Sequence, residues 1–302
     1  MKYYYELTKS GLVFGNVITV IAGFLLGARL LNGVDGGLSV NIWLLVITAV
    51  GICLVMMSGC VFNNYIDRHI DAKMERTKHR ALATHRISAR NALVFASVLG
   101  VAGFLILIIF ANLLAALAAA VGFFFYVVAY SMWAKRSTHY GTVVGAISGA
   151  TPPVVGYAAA SGRLDMAALI LFLIMITWQM PHFFAIAIRR HRDYTAAGIP
   201  VMPVKHGIRR TKISMLIYIT EFIVAASLLF VFGYAGYIYL SIVIILGIVW
   251  LVLCLLGFLI PDGVPVPAHI VPADVRWARR MFLFSLVVMM VLFITIAVGA
   301  IA

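Results

Sequence analysis

Charge is scarce in this chain of 302 residues: only 11% are Asp, Glu, Lys or Arg, against 64% hydrophobic residues and a mean hydropathy of +1.08. So few charges cannot coat a soluble globule of this size, which excludes a water-soluble enzyme or binding module. Cysteine is rarer still. Cys53, Cys60 and Cys254 fall singly inside apolar runs, without CxxC or His/Cys spacing, which excludes a disulfide framework or zinc module and leaves packing as their role. Acids number ten against 23 Lys and Arg, a net charge of +13 that would suit nucleic acid. The basic residues, however, are dispersed over loops flanking apolar runs, where membrane topology already accounts for them, so no nucleic-acid partner is expected.

What is present is a series of apolar runs long enough to span a bilayer. They fall at about 12–31, 42–62, 93–111, 114–133, 141–160, 167–188, 213–232, 237–259 and 281–301. The expected fold is an all-α membrane protein, a bundle of nine transmembrane helices forming a single domain over residues 1–302. Lys2 and Lys9 precede the first run, but that run is about 20 residues long and lacks a small-residue cleavage site, so it reads as a retained helix rather than a signal peptide. No Arg- and Ser-rich transit pattern precedes it. A multi-pass protein of a bacterial or archaeal plasma (inner) membrane is therefore expected.

Of the 23 lysines and arginines, only Arg29 and Arg163 fall on one face of the predicted topology. The positive-inside rule then puts the amino terminus and the basic connections in the cytoplasm, and nine crossings leave the carboxyl terminus outside. Two of those connections, 63–91 and 189–212, are much longer and more charged than the rest, and parity places both on one side of the membrane. Pro152 and Pro153 in the fifth run and Pro181 in the sixth should kink their helices. The small residues of GAISGATPPVVGYAAASG permit either close packing or space for a ligand.

The second run ends in NNYIDRHIDAKMERTKHR. If its helix continues past the membrane surface, Asn63, Asp67 and Asp71 share one face at i, i+4 and i+8, with Asn64 one step aside. Such oxygen donors suit a hard cation such as magnesium, which takes few protein ligands and bridges phosphate oxygens. Alternatively the aspartates pair with Arg68 and Lys73 on a solvated helix end. The segment holds Asp67, Asp71 and Glu75 at four-residue intervals beside Arg68, Lys73, Arg76, Lys78 and Arg80. Acids for a metal and cations for an anion together are what a magnesium-bound diphosphate requires, and a lipid tail on it would lie among the helices. Tyr130, Lys135 and Arg136 end the fourth run at the same face, where they can reach that diphosphate.

NNYIDRHID resembles the NDxxDxxxD motif of the UbiA-type intramembrane prenyltransferases, with Asn64 where that family commonly has Asp. SGCVFNNYIDRHIDAKMERTKHR, YSMWAKRSTHYGTVVGAISGATPPVVGY and WQMPHFFAIAIRRHRDYTAAGIPVMPV are similar, in order, to the heme-farnesylating branch of the family. The resemblance implies a helix bundle around a central cavity that opens to the cytoplasm and laterally to lipid. It implies transfer of farnesyl from farnesyl diphosphate to a vinyl group of heme B with addition of water, giving heme O for terminal oxidases, with Mg2+ as the metal. A heme A synthase or terminal-oxidase assembly factors are the partners implied.

In the second loop, RRHRDYTAAGIP has Asp193 as its only acid, where many family members carry a second aspartate pair. Arg189, Arg190, Arg192 and Lys205 suit either the heme propionates or the diphosphate, because guanidinium pairs bidentately with both, or else they merely satisfy topology. Tyr194 is a candidate to hold the porphyrin or a phosphate. His182, in WQMPHF, is a candidate contact to heme, as iron ligand or proton acceptor, or a satisfied structural histidine. Rival readings are another family member acting on an aromatic or quinone precursor, and a heme transporter or assembly protein without chemistry.

Overall fold

The computed structural model describes residues 2–32, 40–260 and 272–301. The described residues form no strand. They contain nine helices long and apolar enough to cross a membrane: α1 Ser10–Leu31, α2 Ile42–Asp71, α3 Ala89–Ala111, α4 Leu113–Ser137, α5 Gly141–Ser161, α6 Met166–Arg189, α7 Met202–Val231, α8 Tyr237–Leu259 and α9 Pro272–Ile301. Each coincides with an apolar run read from the sequence. Several extend beyond it, α2 to Asp71 and α7 back to Met202.

The starts are set by capping side chains. Asn41, Ser88, Asn112 and Asp165 accept hydrogen bonds from the first-turn amides of α2, α3, α4 and α6. Gly162, at φ +63°, closes α5 in the left-handed conformation that an L side chain disfavours.

The outward faces carry large apolar side chains such as Ile109, Ile245 and Val98, as a lipid-facing surface should. Inside, α1 packs along the second half of α5 and against α9, α6 packs on α7 and α9, and α2 on α3. Small residues permit the closest approach: a Cβ at Gly23 would collide with the Pro153 carbonyl, and one at Gly156 with the Val20 carbonyl. In lipid, where water drives little helix association, such backbone proximity is a main source of packing energy.

Two helices depart from regular geometry. α5 breaks at Ala150, and Pro152 and Pro153 occupy the first turn of its second half, where a missing N–H costs nothing. The expected kink is thus a break two residues earlier. Pro181, by contrast, lies within an uninterrupted helix. In α4 the stretch Phe125–Ala134 is π-helical, a wider winding often found near functional sites.

Gly23→Val should destabilise the fold by at least about 1–3 kcal/mol, the usual cost of overpacking, because backbone rather than a movable side chain opposes it. Thermal denaturation in detergent checks this; an unchanged midpoint would show that α1 and α5 can separate without cost.

Candidate active site

At one end of the bundle α2 carries its polar turn into the interior. Asn63, Asp67 and Asp71 are 4%, 0% and 1% exposed, so the common face predicted for them points inward, not to solvent. Asn63 Nδ2 donates to Asp67 Oδ2 at 2.8 Å and to Ser131 Oγ at 2.9 Å. Asp67 is paired with Lys135, and its other oxygen lies 3.6 Å from Arg136, which spends its hydrogen bond on the Ile66 carbonyl. Arg80 donates to Asp71 Oδ2 at 2.7 Å. Among the described residues, Asp67 Oδ1 and Asp71 Oδ1 are buried without a hydrogen-bond partner. A carboxylate oxygen sealed from water without a hydrogen bond is costly, and it suits an oxygen-seeking cation. Among the described residues no three His, Cys, Asp or Glu side chains converge on a metal, so the candidate donor set is two carboxylates and one amide.

Asn63, Asp71, Arg80 and Lys135 line one end of a cavity of about 540 Å³ bounded by α1, α2, α4, α5, α6 and α9, while Asp67 and Arg136 lie behind them and do not line it. Lys9, Asn63, Asp71, Arg76, Arg80 and Lys135 form its polar end, while Ile52, Val55, Met175 and Met289 line its depth. From Asp71 back to Ile52 the lining runs 19 residues of α2, roughly 28 Å at 1.5 Å per residue. Tyr194, Ile199 and Val201 from the second loop also line it, so both long polar connections do meet at one site. Burial raises the Tyr194 phenol above its ordinary range, with Tyr130, Arg76 and Lys135 beside it.

Most of the other candidates fall elsewhere, while Tyr130 and His182 line the cavity. Asn64 turns away from the cavity: its Nδ2 donates to the Leu7 carbonyl at 2.9 Å, tying α2 to the N-terminal helix Lys2–Leu7. Arg68 folds back over the Tyr65 ring and carbonyl. α2 stops at Asp71, so Glu75 leaves the common face and pairs with Lys78 at the surface, 2.7 Å apart. Arg190, Arg192 and Lys205 are exposed, Asp193 is half-buried in the short helix His191–Ala196, and none of the four lines the cavity. Arg189 sits 4.9 Å over the Phe282 ring. Tyr130 lines the cavity, stacked on Tyr126 with Lys135 5.9 Å from its ring. His182 lines it too, 9% exposed, with Nδ1 2.7 Å from Ser285 Oγ. Gln179, its polar neighbour in sequence, also lines the cavity and ties α6 to α5 through the Ala146 carbonyl, in room left by Gly149.

Two site residues escape the sequence pattern. Lys9 Nζ donates to Asn63 Oδ1 at 2.7 Å, and burial lowers its ammonium to about 8. Its backbone is left-handed at φ +49°, which turns the side chain inward between the N-terminal helix and α1. Ser131 comes from the π-helical turn, which displaces α4 side chains from the positions ordinary helical spacing would give.

The profile of the UbiA prenyltransferase family matches residues 16–268. The chain belongs to the UbiA prenyltransferase family. It is 48% identical over 287 residues to a protein of Sodalis glossinidius named protoheme IX farnesyltransferase, covering 95% of this chain and 91% of the relative. It is 46% identical over 287 residues to one of the same name from Yersinia pseudotuberculosis, with 95% and 91% covered. Among solved structures, digeranylgeranylglyceryl phosphate synthase superposes with a TM-score of 0.78 at 19% identity, over 99% of this chain and 98% of that one. A UbiA homolog from Archaeoglobus fulgidus bound to DMAPP and Mg2+ gives 0.66 at 17% identity, with 99% of each chain covered. These structures share the fold.

Lys9→Met removes one buried charge-assisted hydrogen bond donor, worth about 1.5–3 kcal/mol. The KM for a prenyl diphosphate should rise roughly ten- to hundredfold. An unchanged KM in steady-state assays would leave Lys9 as a tie between α1 and α2 only.

Proposed function

We propose that this chain farnesylates heme: the farnesyl group of farnesyl diphosphate passes to a vinyl group of protoheme IX (heme B), water adds, and heme O and diphosphate leave. The observation that carries this reading is the pair of buried oxygens of Asp67 and Asp71 that accept no hydrogen bond among the described residues, held among Lys9, Arg80, Lys135 and Arg136 beside the polar end of an otherwise apolar cavity. The names of the relatives at 46–48% identity supply the acceptor.

Asn63, Asp67 and Asp71 are the residues that would hold Mg2+. When bound there, magnesium neutralises charge on the diphosphate and makes it a better leaving group. Lys9, Arg76, Arg80 and Lys135 surround the space the diphosphate would fill, and their fixed positive charge stabilises the negative charge that grows as the allylic C–O bond breaks. The apolar depth excludes water from the allylic cation, while Tyr126, Tyr130 and Trp178 offer it aromatic rings. The vinyl π electrons form the new C–C bond to farnesyl C1, and the bond electrons to oxygen depart with diphosphate. Water then captures the resulting cation beside the ring and releases one proton, leaving a hydroxyethylfarnesyl group. His182 faces the same cavity and contacts the heme, and Arg189 provides for a propionate.

The excess of Lys and Arg on the connections at the site's end supports a plasma-membrane orientation with the active site and amino terminus in the cytoplasm and the carboxyl terminus outside. Heme O would then pass to a heme A synthase or to terminal-oxidase assembly.

Asp67→Ala should lower farnesyl transfer at least about a hundredfold, the scale seen when a transition-state charge partner is removed, while heme still binds. Purified protein incubated with heme B, farnesyl diphosphate and Mg2+ checks this by the mass of the porphyrin product. Full activity of the variant, or an unmodified porphyrin from the wild type, would refute the reading.

A further inference from the structure

Among the aromatic and apolar side chains deep in the cavity wall stands an imidazole. His182 is nearly buried on α6 and lines the cavity. Its Nδ1 lies 2.7 Å from Ser285 Oγ on α9, and the Ser285 hydroxyl donates to the Phe282 carbonyl at 2.6 Å. A hydroxyl has one proton, already committed to that carbonyl, so toward His182 it can only accept. Nδ1 therefore carries the ring hydrogen, and Nε2 keeps a bare lone pair. Among the described residues Nε2 has no hydrogen-bond partner.

The ring is also held in orientation. Trp178 stacks on it at 4.9 Å with 24° between planes, and Phe282 packs at 4.9 Å and 33°. Trp178 is itself fixed by its indole N–H donating to the Ser285 carbonyl at 2.8 Å. Ser285 thus anchors both the imidazole and the ring stacked on it. A histidine with one nitrogen donating to a fixed acceptor and the other open is the arrangement in which imidazole binds metals. Arg189, seven residues further along α6 and so about two turns away on nearly the same face, lies over the Phe282 ring that also packs on His182. A guanidinium therefore stands on the far side of the Phe282 ring, toward the end of the helix, although it does not itself line the cavity.

We infer that His182 Nε2 ligates the iron of the heme acceptor, and that Ser285 is the positioning residue that fixes the imidazole tautomer and angle. The inference rests on the heme reading above and adds to it how the acceptor is anchored.

Ferric heme and iron-free protoporphyrin IX, titrated separately into purified protein and followed by absorption and electron paramagnetic resonance, test it. The wild type should give the spectrum of imidazole-ligated heme. His182→Ala should lose that spectrum, regain it on addition of free imidazole, and still bind protoporphyrin IX as the wild type does. Ser285→Ala should weaken ferric heme binding about tenfold, the scale of losing an outer-shell partner, whereas Ser285→Thr, which keeps a hydroxyl, should restore it. An unaltered heme spectrum in His182→Ala, or an equal loss of protoporphyrin IX, would overturn the inference. If wild-type protein meanwhile forms a farnesylated porphyrin, the proposed function stands without it. Wild type that binds no heme would overturn both.

Discussion

Two carboxylates taken out of water at the membrane edge constrain much of what surrounds them. Asp67 and Asp71 are almost wholly buried, and desolvating an ion costs several kcal/mol unless neighbours compensate. The compensation comes from across the bundle: Lys135 and Arg136 at the end of α4, Arg80 from the loop after α2, and Lys9 through the Asn63 amide. The length of α2, the π-helical end of α4 and the left-handed turn at Lys9 all serve to bring these groups together. One oxygen of each aspartate nevertheless remains without a hydrogen bond, so the cluster is compensated in charge but incomplete in coordination.

The sign of the cluster bears on how a metal would arrive. Two carboxylates face four cations, Lys9, Arg80, Lys135 and Arg136, so without ligands the polar end is positive. A divalent cation alone meets repulsion there, and a diphosphate alone leaves the open aspartate oxygens facing its charge. Together they satisfy both halves. On the proposed function, metal and diphosphate would be coupled ligands, each raising the affinity of the other by the same factor. Behind them the cavity turns apolar within a few helical turns, suited to a prenyl chain and a flat, largely hydrophobic acceptor.

Much of this was legible in the sequence because it depends on local periodicity. The nine apolar runs mark nine helices among the described residues, and a four-residue spacing put Asn63, Asp67 and Asp71 on one face. Parity brought the two polar loops to one end. What the sequence hid depends on contacts made far along the chain or on irregular backbone. Lys9 reaches Asn63 across 54 residues through a positive φ, and Ser131 arrives by a π turn that breaks the four-residue rule. Asn64, adjacent to a site residue in sequence, is claimed by a carbonyl of the N-terminal helix, and Lys78 by Glu75 once α2 has ended. The basic residues of the second loop looked alike as letters, yet Arg189 settles on an aromatic ring while Arg190, Arg192 and Lys205 face solvent.

The central claim is that the open oxygens of Asp67 and Asp71 hold a divalent ion jointly with a diphosphate. Electron paramagnetic resonance of Mn2+ titrated into purified protein measures it directly, with and without an unreactive prenyl diphosphate analogue. The account predicts weak binding of Mn2+ alone, at least about tenfold tighter binding with the analogue, and loss of that gain when Asp67 and Asp71 are both replaced by Asn. Equal Mn2+ affinity with and without the analogue, or a gain that survives the double substitution, would contradict it.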